Sequence, residues 1–208
     1  MAQVPESTQG GWDAGVLAPV AELNEQLLEL LCLAAEAPGD AAPPLLAALS
    51  PELYTLTAPM RARLAQCPYL LLDAGFAQPE YWQPAALRVM DAATAPGFFV
   101  GADGTNLLRR SLLLAWHLAR TNRVMARMTL GMSSTCADRI AHCRLRDLEW
   151  LAELSPPWIR PRWDQHPQLW RRLIVAARRD DPVPLRQLQW HGLTLLAAHV
   201  GQREGLLC

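Results

Sequence analysis

The chain has 208 residues, 51% of them apolar, and a formal net charge of −1. That length supports one large or two small cored domains, and no uncharged apolar run approaches the ~20 residues of a membrane-spanning helix, so no membrane partner is expected. Leu and Ala dominate, Ile occurs only at Ile140, Ile159 and Ile174, and straight-chain helix formers outnumber β-branched residues, so the composition predicts an all-α helical bundle divided into short helices by 17 prolines.

In chain order, residues 1–16 read as a flexible arm rich in Gly, Ser, Gln and Pro. Leu23, Leu27, Leu30, Leu31 and Ala34 then recur at helical spacing and predict a helix over about 17–37, which ends before the PGD and PP of 38–44. Ser50-Pro51-Glu52 is a start signal for a helix reaching about Ala65. Cys67-Pro68-Tyr69-Leu70-Leu71-Leu72 is an apolar run, either buried helix or extended core. A helix is expected over about 78–93, and the Gly-rich stretch 94–105 is the expected boundary between an acidic helical domain (17–100) and a second domain (105–201).

The second domain is predicted as a long helix from Thr105/Asn106 to about Met128 and a turn with Gly131 at the C′ position. Ser133 or Ser134 then caps a short helix over about 134–142, and further helices cover about 145–154, 168–178 and 184–201. The four prolines of 155–167 exclude regular helix there. No repeat of solenoid length is present.

Charge separates the same two regions. Residues 1–103 hold three arginines against twelve Asp and Glu, while residues 104–208 hold sixteen arginines against eight acids. The chain has no lysine. A net of −9 followed by +8 points to a polyanion, an acidic partner, or self-association through opposite fields. Five cysteines without a CxxC pair and an N-terminus without a signal-peptide pattern predict reduced thiols and a cytoplasmic protein.

The basic half offers two patterns that suit nucleic acid. Arg109, Arg120, Arg123 and Arg127 fall within ~60° of one another on a continuous helix at 100° per residue, a stripe able to follow a phosphate backbone; an ordinary solvated face is the other reading. Residues 118–154 have the helix, tight turn and short helix spacing of a helix-turn-helix, with Arg139 in the short helix; plain bundles share that shape.

The runs LLLAWHLARTNRVMARMTLGM (112–132) and ADRIAHCRLRDLEWLAE (137–153), followed by Arg160-Pro161-Arg162-Trp163-Asp164 and a terminal helix carrying Trp190-His191-Gly192-Leu193, resemble the FlhD family, a subunit of the bacterial flagellar master transcriptional activator. The likeness covers about 107–200. It implies an all-helical activator subunit that acts at double-stranded promoter DNA as a homodimer or with a companion activator subunit. Carried onto this chain, it adds Arg178, Arg179, Arg186, Gln187, Gln189 and His191 as candidate DNA contacts, since Arg and Gln read base edges bidentately. The cysteine that links two family subunits falls near Ile159 here, so no covalent dimer is expected, and residues 1–100 have no counterpart in the family.

Other constellations are weaker. Trp116, Trp158, Trp163 and Trp170 are candidate partner or dimer anchors, with core packing as the alternative. Cys136, His142 and Cys143 lack zinc-ligand spacing, His191 and His199 stand alone, and no nucleophile or dinucleotide motif is present, so no metal, cofactor or enzymatic activity is expected. The alternative function is a protein-interaction adaptor or anti-activator without DNA contact. Its signature would be an exposed Trp-bearing apolar patch and arginines tied up in internal ion pairs.

Overall fold

The computed structural model describes residues 14–36, 43–83, 98–179 and 181–205, and the fold is all-α. Helix α1 (Ala14–Glu36) forms because Val20, Leu23, Asn24, Leu27, Leu28, Leu31 and Ala35 make one buried stripe. The next helix does not begin at Ser50. Helix α2 (Pro44–Tyr54) starts at Pro44 and carries Pro51 inside it. Leu45, Leu46, Leu49 and Leu53 lie on both sides of the Ser50-Pro51 pair and are all buried, so core burial overrides the local start signal. The Ser50 hydroxyl instead donates to the Leu46 carbonyl at 2.9 Å. A separate helix α3 (Ala58–Ala65) follows Thr57.

The apolar run after α3 is extended. Buried Asn24 holds it from the side: its amide donates to the carbonyls of Tyr69 (2.9 Å) and Ala65 (3.2 Å), and its oxygen accepts from the Leu71 N–H (2.7 Å). The run ends in strand β1 (Leu72–Asp73). A 3-10 turn (Pro79–Trp82) occupies the start of the helix expected over 78–93, and residues 84–93 lie outside the described residues. So do residues 1–13 of the expected arm.

The long helix of the basic half is two helices. Helix α4 (Gly101–Thr121) ends at Asn122, whose φ of −149° and ψ of 81° break the spiral; its side chain then caps helix α5 (Arg123–Leu130) by accepting from the Met125 N–H. Gly131 takes the left-handed φ of 64° that ends α5, and the Ser133 side chain caps helix α6 (Ser134–Ala141). Helix α7 (Leu145–Leu154), strand β2 (Arg160–Pro161), helix α8 (Pro167–Ala177) and helix α9 (Val183–Arg203) complete the chain.

Helix α1 packs on α2 and α3, α4 packs on α6 and α7, and α1 and α4 pack on each other. Strands β1 and β2 pair antiparallel, with Leu72 opposite Pro161 and Asp73 opposite Arg160. Packing runs unbroken across the change of charge sign, and residues of both halves share one hydrophobic core. At its centre, buried Arg162 donates to the carbonyls of Leu70 (2.9 Å), Leu72 (3.2 Å) and Leu130 (3.0 Å), with the Asp73 carboxylate 3.9 Å away. A planar fork satisfies three buried carbonyls from both halves at once.

Candidate docking groove between the last two helices

Helix α9 buries one stripe, Leu185, Gln189, Gly192, Leu196 and Val200. Two close approaches seat it. A Cβ at Gly192 would lie 2.1 Å from the Tyr69 hydroxyl, and a Cβ at Gly131 would lie 2.3 Å from a Leu196 methyl. Its last turn is tied to α5 and α6, since Glu204 accepts from the backbone and hydroxyl of Ser134 (2.7 and 2.9 Å) and pairs with Arg127 at 2.6 Å. Burial alone would raise the Glu204 pKa; the hydrogen bonds from Ser134 and Arg127 outweigh it and hold the carboxyl below its ordinary value.

Helix α8 packs beside the first half of α9 and leaves a furrow between them. Val175, Arg179 and Pro184 line one end, Arg172, Leu188 and His191 the middle, and Trp163, Leu195 and His199 the other end. Val175, Leu195 and Trp190 are exposed apolar groups on these two helices, with Trp190 57% exposed. Burial, with Arg203 and Arg162 nearby, lowers the His199 pKa, although Asp73 opposes the shift.

The arginines divide into two classes. Those of the expected stripe each have a partner at the surface of the fold. The guanidinium of Arg109 donates to Asn106 (2.9 Å) and lies 4.0 Å from Glu153; Arg120 covers the Trp116 ring at 4.5 Å; Arg123 pairs with Asp138 at 2.6 Å; Arg127 pairs with Glu204. Because Asn122 breaks the helix, the single-helix arithmetic that aligned the four does not apply across it. Arg139 donates to the Pro79 carbonyl and Arg178 to Thr55 and the Glu52 carbonyl. By contrast, the side chains of Arg144, Arg172, Arg179, Arg186 and Arg203 have no hydrogen-bond or ion-pair partner among the described residues and are exposed, and of these Arg172 and Arg179 line the furrow.

The two arginine sets also lie far apart. Arg127 meets Glu204 at one end of α9 and Arg186 sits at the other, about 27 Å away at 1.5 Å per residue. The two sites lie about five turns apart along α9. Among the remaining terminal-helix candidates, Gln187 and His191 line the furrow, whereas Gln189 is buried and faces the Cys67 thiol, away from any base edge. In α6, Ser134, Thr135, Asp138 and His142 face outward and Cys136, Ala137 and Ile140 inward. A short helix with an Asp on its outer face and its half-buried arginine engaged by the Pro79 carbonyl is poorly equipped to read a DNA groove.

Three of the four tryptophans expected at an interface have internal contacts that fix them. Trp170 is fully buried and donates to the Arg162 carbonyl (2.8 Å), Trp116 donates to the Cys143 carbonyl (3.2 Å), and Trp158 stacks on Tyr81 with centroids 4.8 Å apart. Trp163 meets Tyr69 edge-on and also lines the furrow. The sequence reading missed Arg172, Leu188 and Leu195. The available signal was on α9, where Leu188, Trp190 and Leu195 fall off the buried stripe.

Among the described cysteines burial dominates, and even Cys32, beside Arg61, has its pKa raised. Burial pushes Cys67 up to about 12 and Cys136 and Cys143 up to about 11, so these thiols remain protonated at neutral pH. No group of three or more His, Cys, Asp or Glu that could hold a metal ion occurs among the described residues, and none of their helices is long and apolar enough to cross a membrane. No protein-family model, curated protein or solved structure matches this chain.

Proposed function

We propose that this chain is a protein-interaction module, and that it docks an acidic, amphipathic segment of a partner protein in the furrow between α8 and α9. The observation that carries this reading is the contrast between two arginine populations. Arginines elsewhere in the basic half are largely paired within the molecule, while Arg172 and Arg179, which line an apolar furrow, have no partner among the described residues. Apolar side chains in a cleft between helices supply buried area, and unpaired guanidinium groups on its rim select carboxylates. A companion subunit, which the FlhD likeness implies, is one partner of this kind.

Direct DNA contact is the second reading. It is favoured by the unpaired Arg172 and Arg179 together with Gln187, which line one furrow. Binding to three labelled probes separates the two: a helical peptide with a Leu face flanked by Glu, the same peptide flanked by Lys, and a mixed-sequence duplex. Saturable binding of the Glu peptide alone, weakened tenfold or more by Arg172→Glu with Arg179→Glu, is the expected result. Duplex binding that falls steeply with salt and is lost in the same variant would transfer the function to DNA. Binding of none of the three would remove the furrow as a site.

A further inference from the structure

The two halves of the chain correspond at a constant offset of 88 residues. Pro79 opens the 3-10 turn and Pro167 opens α8. Three residues on, Trp82 and Trp170 are both buried, and their indoles donate to the carbonyls of Gly75 (3.1 Å) and Arg162 (2.8 Å). Gly75 has a φ of 62° and Trp163, at the same offset, has a φ of 54°. A tryptophan in the left-handed region is rare enough to mark an inherited backbone path. The buried positions of α1 continue the match, with Val20, Leu23, Asn24, Leu27 and Leu31 answering to Leu108, Ser111, Leu112, Ala115 and Ala119 of α4, all buried.

Packing follows the same correspondence. Helix α1 packs on α2 and α3 as α4 packs on α6 and α7. The element after each strand crosses over: the 3-10 turn packs on α6, and α8 packs on α2. The β1–β2 ladder pairs Leu72 with Pro161 and Asp73 with Arg160, which is self-consistent only about a twofold axis through its centre. Equivalent residues can touch each other only on such an axis, and Glu22 and Arg110 do, as an ion pair.

We propose that the chain is an internal duplication: two copies of one unit folded against each other as a twofold pair. The surface that each unit would offer to a second copy is thus closed within one molecule, and the chain is a monomer. Fusion also explains the charge asymmetry. In a pair of identical units a residue on the axis meets itself and its charge repels. In a fused pair the halves are free to become complementary. Each ion pair between the halves among the described residues joins an acid of the first to an arginine of the second: Glu22–Arg110, Asp73–Arg162 and Glu52–Arg171.

Two measurements on the full chain test this, and neither uses a partner. Light scattering over a hundredfold concentration range is expected to give the monomer mass of 23.0 kDa throughout; a stable dimer would overturn the proposal. A protease site inserted between the exposed Val100 and Gly101 is expected to yield, after cleavage, two fragments that migrate together and part only in denaturant. Glu22→Arg should weaken their reassociation severalfold, and Arg110→Glu added to it should restore it. Fragments that separate under native conditions would equally overturn the proposal.

Discussion

After strand β1, Pro79 opens a 3-10 turn over Pro79–Trp82; at the corresponding place after β2, Pro167 opens an eleven-residue helix, and α9 follows it. Both segments bury a tryptophan at the same step and both pack on the opposite half. They differ in what they leave outside. Among the described residues, the exposed apolar groups of the first half, Leu33, Tyr54 and Val100, are scattered, as are Leu113, Val124, Met128 and Leu145 of the second, whereas Val175, Val183, Trp190 and Leu195 lie on α8 and α9, the pair that forms the furrow. If the furrow docks a partner as proposed, one scaffold serves as a supporting half and as a half that carries a binding surface. Binding is then a property of what is added around the scaffold.

The largest effect is expected where the halves meet. Arg162→Met leaves the carbonyls of Leu70, Leu72 and Leu130 without their donor and should cost about 3–5 kcal/mol in chemical denaturation, as a single transition reported alike from both halves. Two separate transitions would show that the halves are energetically independent. Next comes Gly131→Ala, which forces an l-residue into the left-handed region and a Cβ against Leu196; a loss of about 1–3 kcal/mol is expected, read as a lowered Tm. Gly192→Ala, aimed at Tyr69, should loosen α9 in the same way and weaken the Glu peptide with it.

In the furrow, Arg172→Glu with Arg179→Glu should leave the Tm within about 2 °C of the parent, because both are surface groups, while removing at least nine-tenths of the peptide affinity. A large drop in Tm would mean that these arginines belong to the scaffold instead. A smaller effect is expected from pH. His199 in the fold has a pKa below its ordinary 6.5, so the unfolded chain takes up the proton first. Its contribution is fully present above that value and declines as the pH falls through it. Glu204 acts likewise in the carboxylate range: its contribution is present above its ordinary 4.5 and is lost as the pH falls through its lowered folded value. Plots of Tm against pH should lose the upper step in His199→Gln and the lower step in Glu204→Gln. The smallest effect is expected at the exposed Arg123–Asp138 pair, where Arg123→Ala should cost only about 0.2–1 kcal/mol.

The fold class and most elements of the second half were legible in the chain. The expected helix over 145–154 is α7, residue for residue, and Gly131 and Ser133 end and start helices as their chemistry requires. Local rules succeeded there because the cap residues are satisfied by groups one turn away. They failed at Ser50-Pro51, where buried leucines on both sides prevail, and at Asn122, whose side chain caps a new helix inside an otherwise continuous pattern. The 88-residue correspondence was hidden for a related reason: few identities survive beyond Pro68/Pro156, Pro79/Pro167 and Trp82/Trp170, and burial, which repeats more faithfully than residue type, is known only from the fold.

By itself the amino-acid order determined a helical protein with opposite charge in its two halves, since propensity, apolar spacing and charge are properties of residues and their near neighbours. Only the tertiary structure decided which arginines remain open to a partner. A guanidinium is committed or left free by acids and carbonyls that approach from distant parts of the chain, as Glu204 reaches Arg127 and Glu52 reaches Arg171, and no local pattern encodes that encounter.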